Sequence, residues 1–135
     1  MTTSEKAAKQ PLRTQAQIID RITDIVIEPI NPRQLWILII DDDGYQLPVC
    51  IPISGIPAHP EPNPLHGMMI RLADTFAGTG AAQAIFVLER TGPPGITKED
   101  RLWAAALRRT ASVSRLKVRG VYLCNPMGVR EIPAS

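Results

Sequence analysis

A chain of 135 residues is long enough for one domain with a real core. Its hydrophobic share of 44% is that of an ordinary globular protein, and with aromatics at 4% the core must be mainly Ile, Leu, Val and Ala. Net charge is only +2 but uneven: residues 1–96 hold 7 basic and 10 acidic side chains, residues 97–135 hold 8 and 3. A basic C-terminal third of this kind suits nucleic acid or an acidic partner. No apolar run reaches the roughly 18 residues of a membrane span. The polar start, Met1 to Lys6, lacks a signal-peptide core, so a cytoplasmic location is expected, with no membrane partner.

Residues 1–13 carry no periodic pattern and read as a disordered tail, leaving 14–135 as the folded unit. From Gln15 to Ile27 two patterns overlap. Ile18, Ile22 and Ile25 suit a helix face, while Ile25-Val26-Ile27 suits a strand; a short helix passing into a strand near Ile22–Ile27 is expected, ended by Pro29 and Pro32. Leu35–Ile40 is six apolar residues without interruption, the pattern of a central strand. Asp41-Asp42-Asp43-Gly44 is a hairpin turn, and Tyr45–Ile53 returns as its partner, with Pro48 and Pro52 marking an edge or bulge.

Residues 54–63 form a proline-rich loop. Asn63-Pro64 starts a helix over Leu65–Ala77, whose apolar side is Met68, Met69, Leu72 and Phe76 and which Gly78 stops. Ala84–Arg90 is a buried strand, Thr91–Gly95 a turn that neither strand nor helix can continue, and Thr97 an N-cap with Asp100 in a capping-box position. The helix from Lys98 to about Ser114 carries Leu102, Ala105, Ala106, Arg109 and Val113 on one side, with Trp103, Leu107 and Thr110 adjacent. Lys117–Cys124 is a last core strand, and Val129–Ile132 a short edge strand. A hairpin followed by helix, strand, helix and strand predicts a single α/β domain: a mixed sheet with an antiparallel hairpin and two main flanking helices.

Three places in this order resemble a known group. Arg33-Gln34-Leu35-Trp36-Ile37-Leu38-Ile39-Ile40-Asp41 is similar to a hairpin strand that opens near a catalytic Glu and ends in Leu-Asp. Asn63-Pro64-Leu65 and the helix after it resemble a His-Pro-Arg-Glu-Val helix. Ala84–Asp100 resembles an Ala-Ile-Leu-x-His-x-His-Pro-Ser-Gly…Pro-Ser-x-x-Asp segment. These are features of the JAB/MPN metalloprotease superfamily, in particular its bacterial RadC-like branch, with a cytidine-deaminase-like layout. In that family two His and one Asp hold zinc, and a Glu moves protons for the attacking water. Here the His positions fall at Glu89 and Thr91 and the Glu position at Gln34; only Asp100 remains. The resemblance therefore implies a fold kept and a hydrolase lost: a pseudoenzyme without cofactor, working through an unknown protein partner or self-association.

Other patterns bear two readings each. Glu89 and Asp100 either share a divalent cation in an atypical hydrolase site, or Glu89 pairs with Arg90 or Arg101 near the turn while Asp100 caps a helix. His59 and His66, with Cys50 or Cys124, have no standard zinc spacing and read as exposed loop histidines; the cysteines read as buried thiols. Asp41–Gly44 lacks the alternation and distal Glu of a calcium loop. Gly78-Thr79-Gly80 reads as a helix stop. Arg101, Arg108 and Arg115 recur every seven residues, a stripe that either meets phosphates of a nucleic acid or is a solvated face. The hairpin edge offers a route to a homodimer.

Overall fold

The computed structural model describes residues 10–26 and 33–134. The elements are α1 (Gln15–Ile25), β1 (Arg33–Asp41), β2 (Gln46–Ser54), α2 (Pro62–Thr75), β3 (Ala81–Arg90), α3 (Lys98–Thr110), a 3-10 turn (Ala111–Ser114), β4 (Lys117–Asn125) and β5 (Gly128–Glu131). The five strands form one mixed sheet in the order β2-β1-β3-β4-β5. Only β3 and β4 run parallel, across the α3 crossover. This is a single α/β domain. The middle strand is β3; β1, the longest apolar run, is interior but second.

Strand alternation divides the core in two. Leu35, Ile37 and Ile39 of β1, Ala84, Phe86 and Leu88 of β3, and Val121 and Leu123 of β4 pack with Leu65, Met69 and Leu72 of α2 and Trp103, Ala104 and Leu107 of α3. Leu38, Ile40, Ile85, Val87, Tyr122 and Cys124 pack on the other face with Leu12 and with Ile18 and Ile22 of α1.

Several sequence expectations shift. Thr14 accepts from the Gln17 N–H and Gln17 reaches back, a capping box that commits Gln15 onward to helix, so Ile22–Ile25 is helical and not strand. Residues 27–32, with Pro29 and Pro32, lie outside the described residues, as do 1–9 of the expected tail. Residues 11–13 are not tail: Leu12 is only 2% exposed, and its N–H donates to Gly44 O at 2.6 Å. Glu61 and not Asn63 is the N-cap of α2, with Pro62 at the first helical position. On α3 the buried side is Trp103, Ala104, Ala106 and Leu107, whereas Leu102, Ala105 and Arg109 are exposed, as is Val113 in the 3-10 turn that follows. The Trp103 indole N–H donates to Pro57 O at 3.0 Å, which fixes that rotation and ties down the proline-rich loop.

The hairpin turn is closed by its own backbone donors. The Asp41 carboxylate accepts from the N–H groups of Asp43 and Tyr45, both at 2.9 Å. Gly44 holds φ +90, and a Cβ there would lie 2.9 Å from the Arg13 side chain.

At the sheet edge, the Gly55 N–H donates to Arg33 O, so odd-numbered residues at this end of β2 bond β1 and even-numbered ones point outward. Pro52 therefore removes a donor from the outer edge, and Pro48 sits where the β1–β2 register shifts. This edge is poorly suited to the homodimer route. We expect Pro52→Thr, which restores the outward N–H, to raise self-association in sedimentation velocity relative to the wild type. Unchanged sedimentation would show that the proline does not guard the edge.

Candidate functional site

The corner at the end of β3 holds the residues singled out by sequence. Period-two alternation sends neighbours to opposite faces. Glu89 follows Val87 to the α1 face; Arg90 follows Leu88 to the face covered by α2 and α3. Asp100, in the first turn of α3, lies on the Arg90 side. Glu89 and Asp100 are thus separated by the sheet, and the geometry does not bring them to a common cation.

Arg90 is the hub of the corner, and it is 2% exposed. Its Nε donates to Asp100 Oδ1 at 2.9 Å and its Nη2 to Asp100 Oδ2 at 2.7 Å, a forked pair. Nη2 also donates to Gly95 O at 2.7 Å, and Nη1 to Pro93 O at 2.6 Å and Thr91 O at 3.3 Å. One guanidinium thereby collects three carbonyls of a turn whose prolines leave it few donors of its own. Asn125 Nδ2 donates to a fourth, Pro94 O, at 2.8 Å. Asp100 also accepts from the Thr97 N–H at 2.9 Å, and Thr97 Oγ1 accepts from the Asp100 N–H: the expected capping box. Burial pushes the Asp100 carboxyl up; hydrogen bonds from Arg90 and Thr97 and the Arg90 charge outweigh it and hold the group below its ordinary range. Asp100 is a committed carboxylate, not an open ligand.

On the opposite face Gln34 and Glu89 are paired in register, and Glu89 is also paired with Cys124. The Trp36 indole N–H donates to Glu89 Oε1 at 2.9 Å, and Gln34 Oε1 accepts from Ser54 Oγ at 2.9 Å. Gln34 is 6% and Glu89 2% exposed. Thr91 is exposed, and only its backbone carbonyl enters the Arg90 network. Of the four positions Gln34, Glu89, Thr91 and Asp100, the structure joins the first two and leaves the others apart.

The remaining candidates lie away from this corner or in no common cluster. Burial, and for Cys124 also the Glu89 charge, pushes both thiols up to about 11, so neither is a thiolate at neutral pH. His59 and His66 are exposed, and no group of three His, Cys, Asp or Glu able to hold a metal occurs among the described residues. The arginine stripe loses a member: the 3-10 turn breaks the helical phase, and Arg115 sits beyond it at φ +60. Arg108 Nη2 donates to Ile132 O at 2.8 Å; Arg101 is exposed. No described helix is long and apolar enough to cross a membrane.

Sequence reasoning missed two features. The first is Arg90 as hub; a lone Arg ending an apolar strand, ten residues before a capping Asp, was the available signal. The second is a cavity of about 250 Å³ between β2, the proline-rich loop, α2 and α3, walled by Leu35, Ile53, Ile56, Leu65, Met68 and Trp103. The chain matches no protein-family model and no curated protein.

Proposed function

We propose that this chain is a non-catalytic domain of the JAB/RadC-like kind, whose role is to bind another protein. The observation that carries the reading is the state of Asp100. The one acid retained at a position matching the family's metal ligands is closed off by Arg90 and Thr97, while Glu89 faces the other side of the sheet. Glu89 and Gln34 lie on the other face, so whatever residues stood at those two positions would not join Asp100 in a ligand set, and among the described residues no such set surrounds it. The Thr91–Gly95 turn is exposed, yet its carbonyls are fixed by Arg90 and Asn125. A surface held this way loses little entropy when a partner covers it.

Elemental analysis of the purified protein tests the loss of the metal. The expected result is well below one equivalent of zinc or manganese, and no heat on titration with either. One tightly held equivalent, released by Asp100→Ala, would restore the hydrolase reading. The partner is sought with a photo-crosslinker at Thr91. A single defined adduct that disappears when the crosslinker is moved to exposed Asp42, at the far end of the sheet, supports the interaction role; equal adducts from both sites oppose it.

A further inference from the structure

We propose that the cavity beneath the proline-rich loop is a binding site for a small amphipathic carboxylate, with its apolar body inside and its carboxylate at Arg71. This goes beyond the interaction role proposed above and stands independently of it.

The cavity is preformed. One wall is the loop that Trp103 holds through Pro57 O at 3.0 Å; another is the Ile53 end of β2, and the floor is Leu35, Leu65 and Met68. At about 250 Å³ it exceeds the ~150 Å³ of an apolar cavity that takes up benzene, so about ten heavy atoms fit. An apolar lining alone does not choose a ligand; the two charged residues at the cavity do.

Those residues are Glu61 and Arg71. Glu61 is the N-cap of α2, near the positive end of the helix, although its side chain makes no cap hydrogen bond. Arg71 lies in the second half of the same helix but before its last turn, away from the charge of either end. Its side chain folds back along α2 over Gly67, with Nη1 3.6 Å from where a Cβ would stand. Among the described residues the guanidinium makes no hydrogen bond or ion pair. An exposed, uncommitted fork beside an apolar cavity matches a carboxylate, which it can grip with two donors. An extended peptide fits less well: beside Ile53 the β2 edge lacks the Pro52 donor, so no continuous backbone ladder would hold it.

The test uses octanoate and 1-octanol, which share a chain and differ in the charged head. The protein has two tryptophans, so its ¹⁵N–¹H spectrum has two indole signals, and Trp103→Phe assigns them. Octanoate should shift the Trp103 signal saturably with a Kd below about 1 mM and leave Trp36 unmoved. It should bind about tenfold more tightly than octanol. Arg71→Gln should remove that difference while leaving octanol binding unchanged. Ile56→Trp, a cavity-filling change on a loop, should abolish both. The proposal is overturned by no saturable shift, by equal shifts at both indoles, by octanol binding as tightly as octanoate, or by an Arg71→Gln protein that still prefers octanoate.

Discussion

Replacing Arg90 with Met should destabilise the domain by about 3–5 kcal/mol, because it strands a carboxylate in the interior. Asp100 is 1% exposed, and both of its oxygens are gripped by Arg90. Met keeps much of the stem volume and removes every donor. The carbonyls of Thr91, Pro93 and Gly95 lose their partner as well, but they belong to exposed residues and water can replace the guanidinium there. Most of the loss therefore comes from the acid. Asp100→Asn is milder, about 1–3 kcal/mol: the amide oxygen still accepts from Thr97, and Arg90 keeps its loop carbonyls. Urea denaturation at pH 7 measures both changes, and a loss under 1 kcal/mol for Arg90→Met would show that the pair does not hold the corner.

The same pair sets an acid dependence. The folded-state Asp100 lies below its ordinary value of 3.8. Its ion pair thus contributes its full stability above pH ~4, and that contribution drains away as pH falls through the folded value. Wild-type stability should decline below pH ~4 more steeply than that of Asp100→Asn, which has no proton to take up at this site.

What the sequence revealed and what it hid divide along the range of the interactions. Strand β1, the Asp41–Gly44 hairpin and the Thr97–Asp100 cap depend on residues within a few positions of one another, and all three appear where the pattern placed them. The rotation of α3 was not legible. Ala is frequent on every side of it, so the faces centred on Leu102 and on Trp103 differ by one residue step, about 100°. The choice was made by Trp103 reaching Pro57, 46 positions away. Arg115 failed for a different reason: a heptad count assumes an unbroken helix, and the 3-10 turn at Ala111–Ser114 ends it. The separation of Glu89 from Asp100 was legible in principle. Alternation puts Glu89 and Arg90 on opposite faces, and once Arg90 reaches Asp100 the two acids cannot meet. The signal that Arg90 turns inward was weak, since a terminal strand Arg more often reaches solvent.

The segment before α1 was the larger omission. Leu12→Ala should cost about 2–5 kcal/mol, the range for a truncated core residue, although the surrounding sequence reads as polar tail. Leu12 packs in the cluster formed by α1 and the sheet. Its neighbours hold it from both sides. Pro11 bridges Tyr45, Arg13 donates from Nε and Nη2 to Asp43 O at 3.0 and 2.9 Å, and the Arg13 guanidinium lies 5.7 Å from the Tyr45 ring. Arg119 Nη2 donates to Arg13 O at 3.0 Å, and buried Arg21 donates to Gln10 O at 2.9 Å. One apolar residue among polar ones has no period to betray it; its partners are the hairpin turn some 30 positions on and β4 beyond that. Arg13→Ala is the control. Arg13 is exposed, so its loss should cost under about 1 kcal/mol. If Leu12→Ala proves as mild as Arg13→Ala in thermal and urea unfolding, the segment lies on the fold without holding it. If it costs several-fold more, the folded unit begins before residue 14, and α1 is anchored to the sheet through the strap that precedes it.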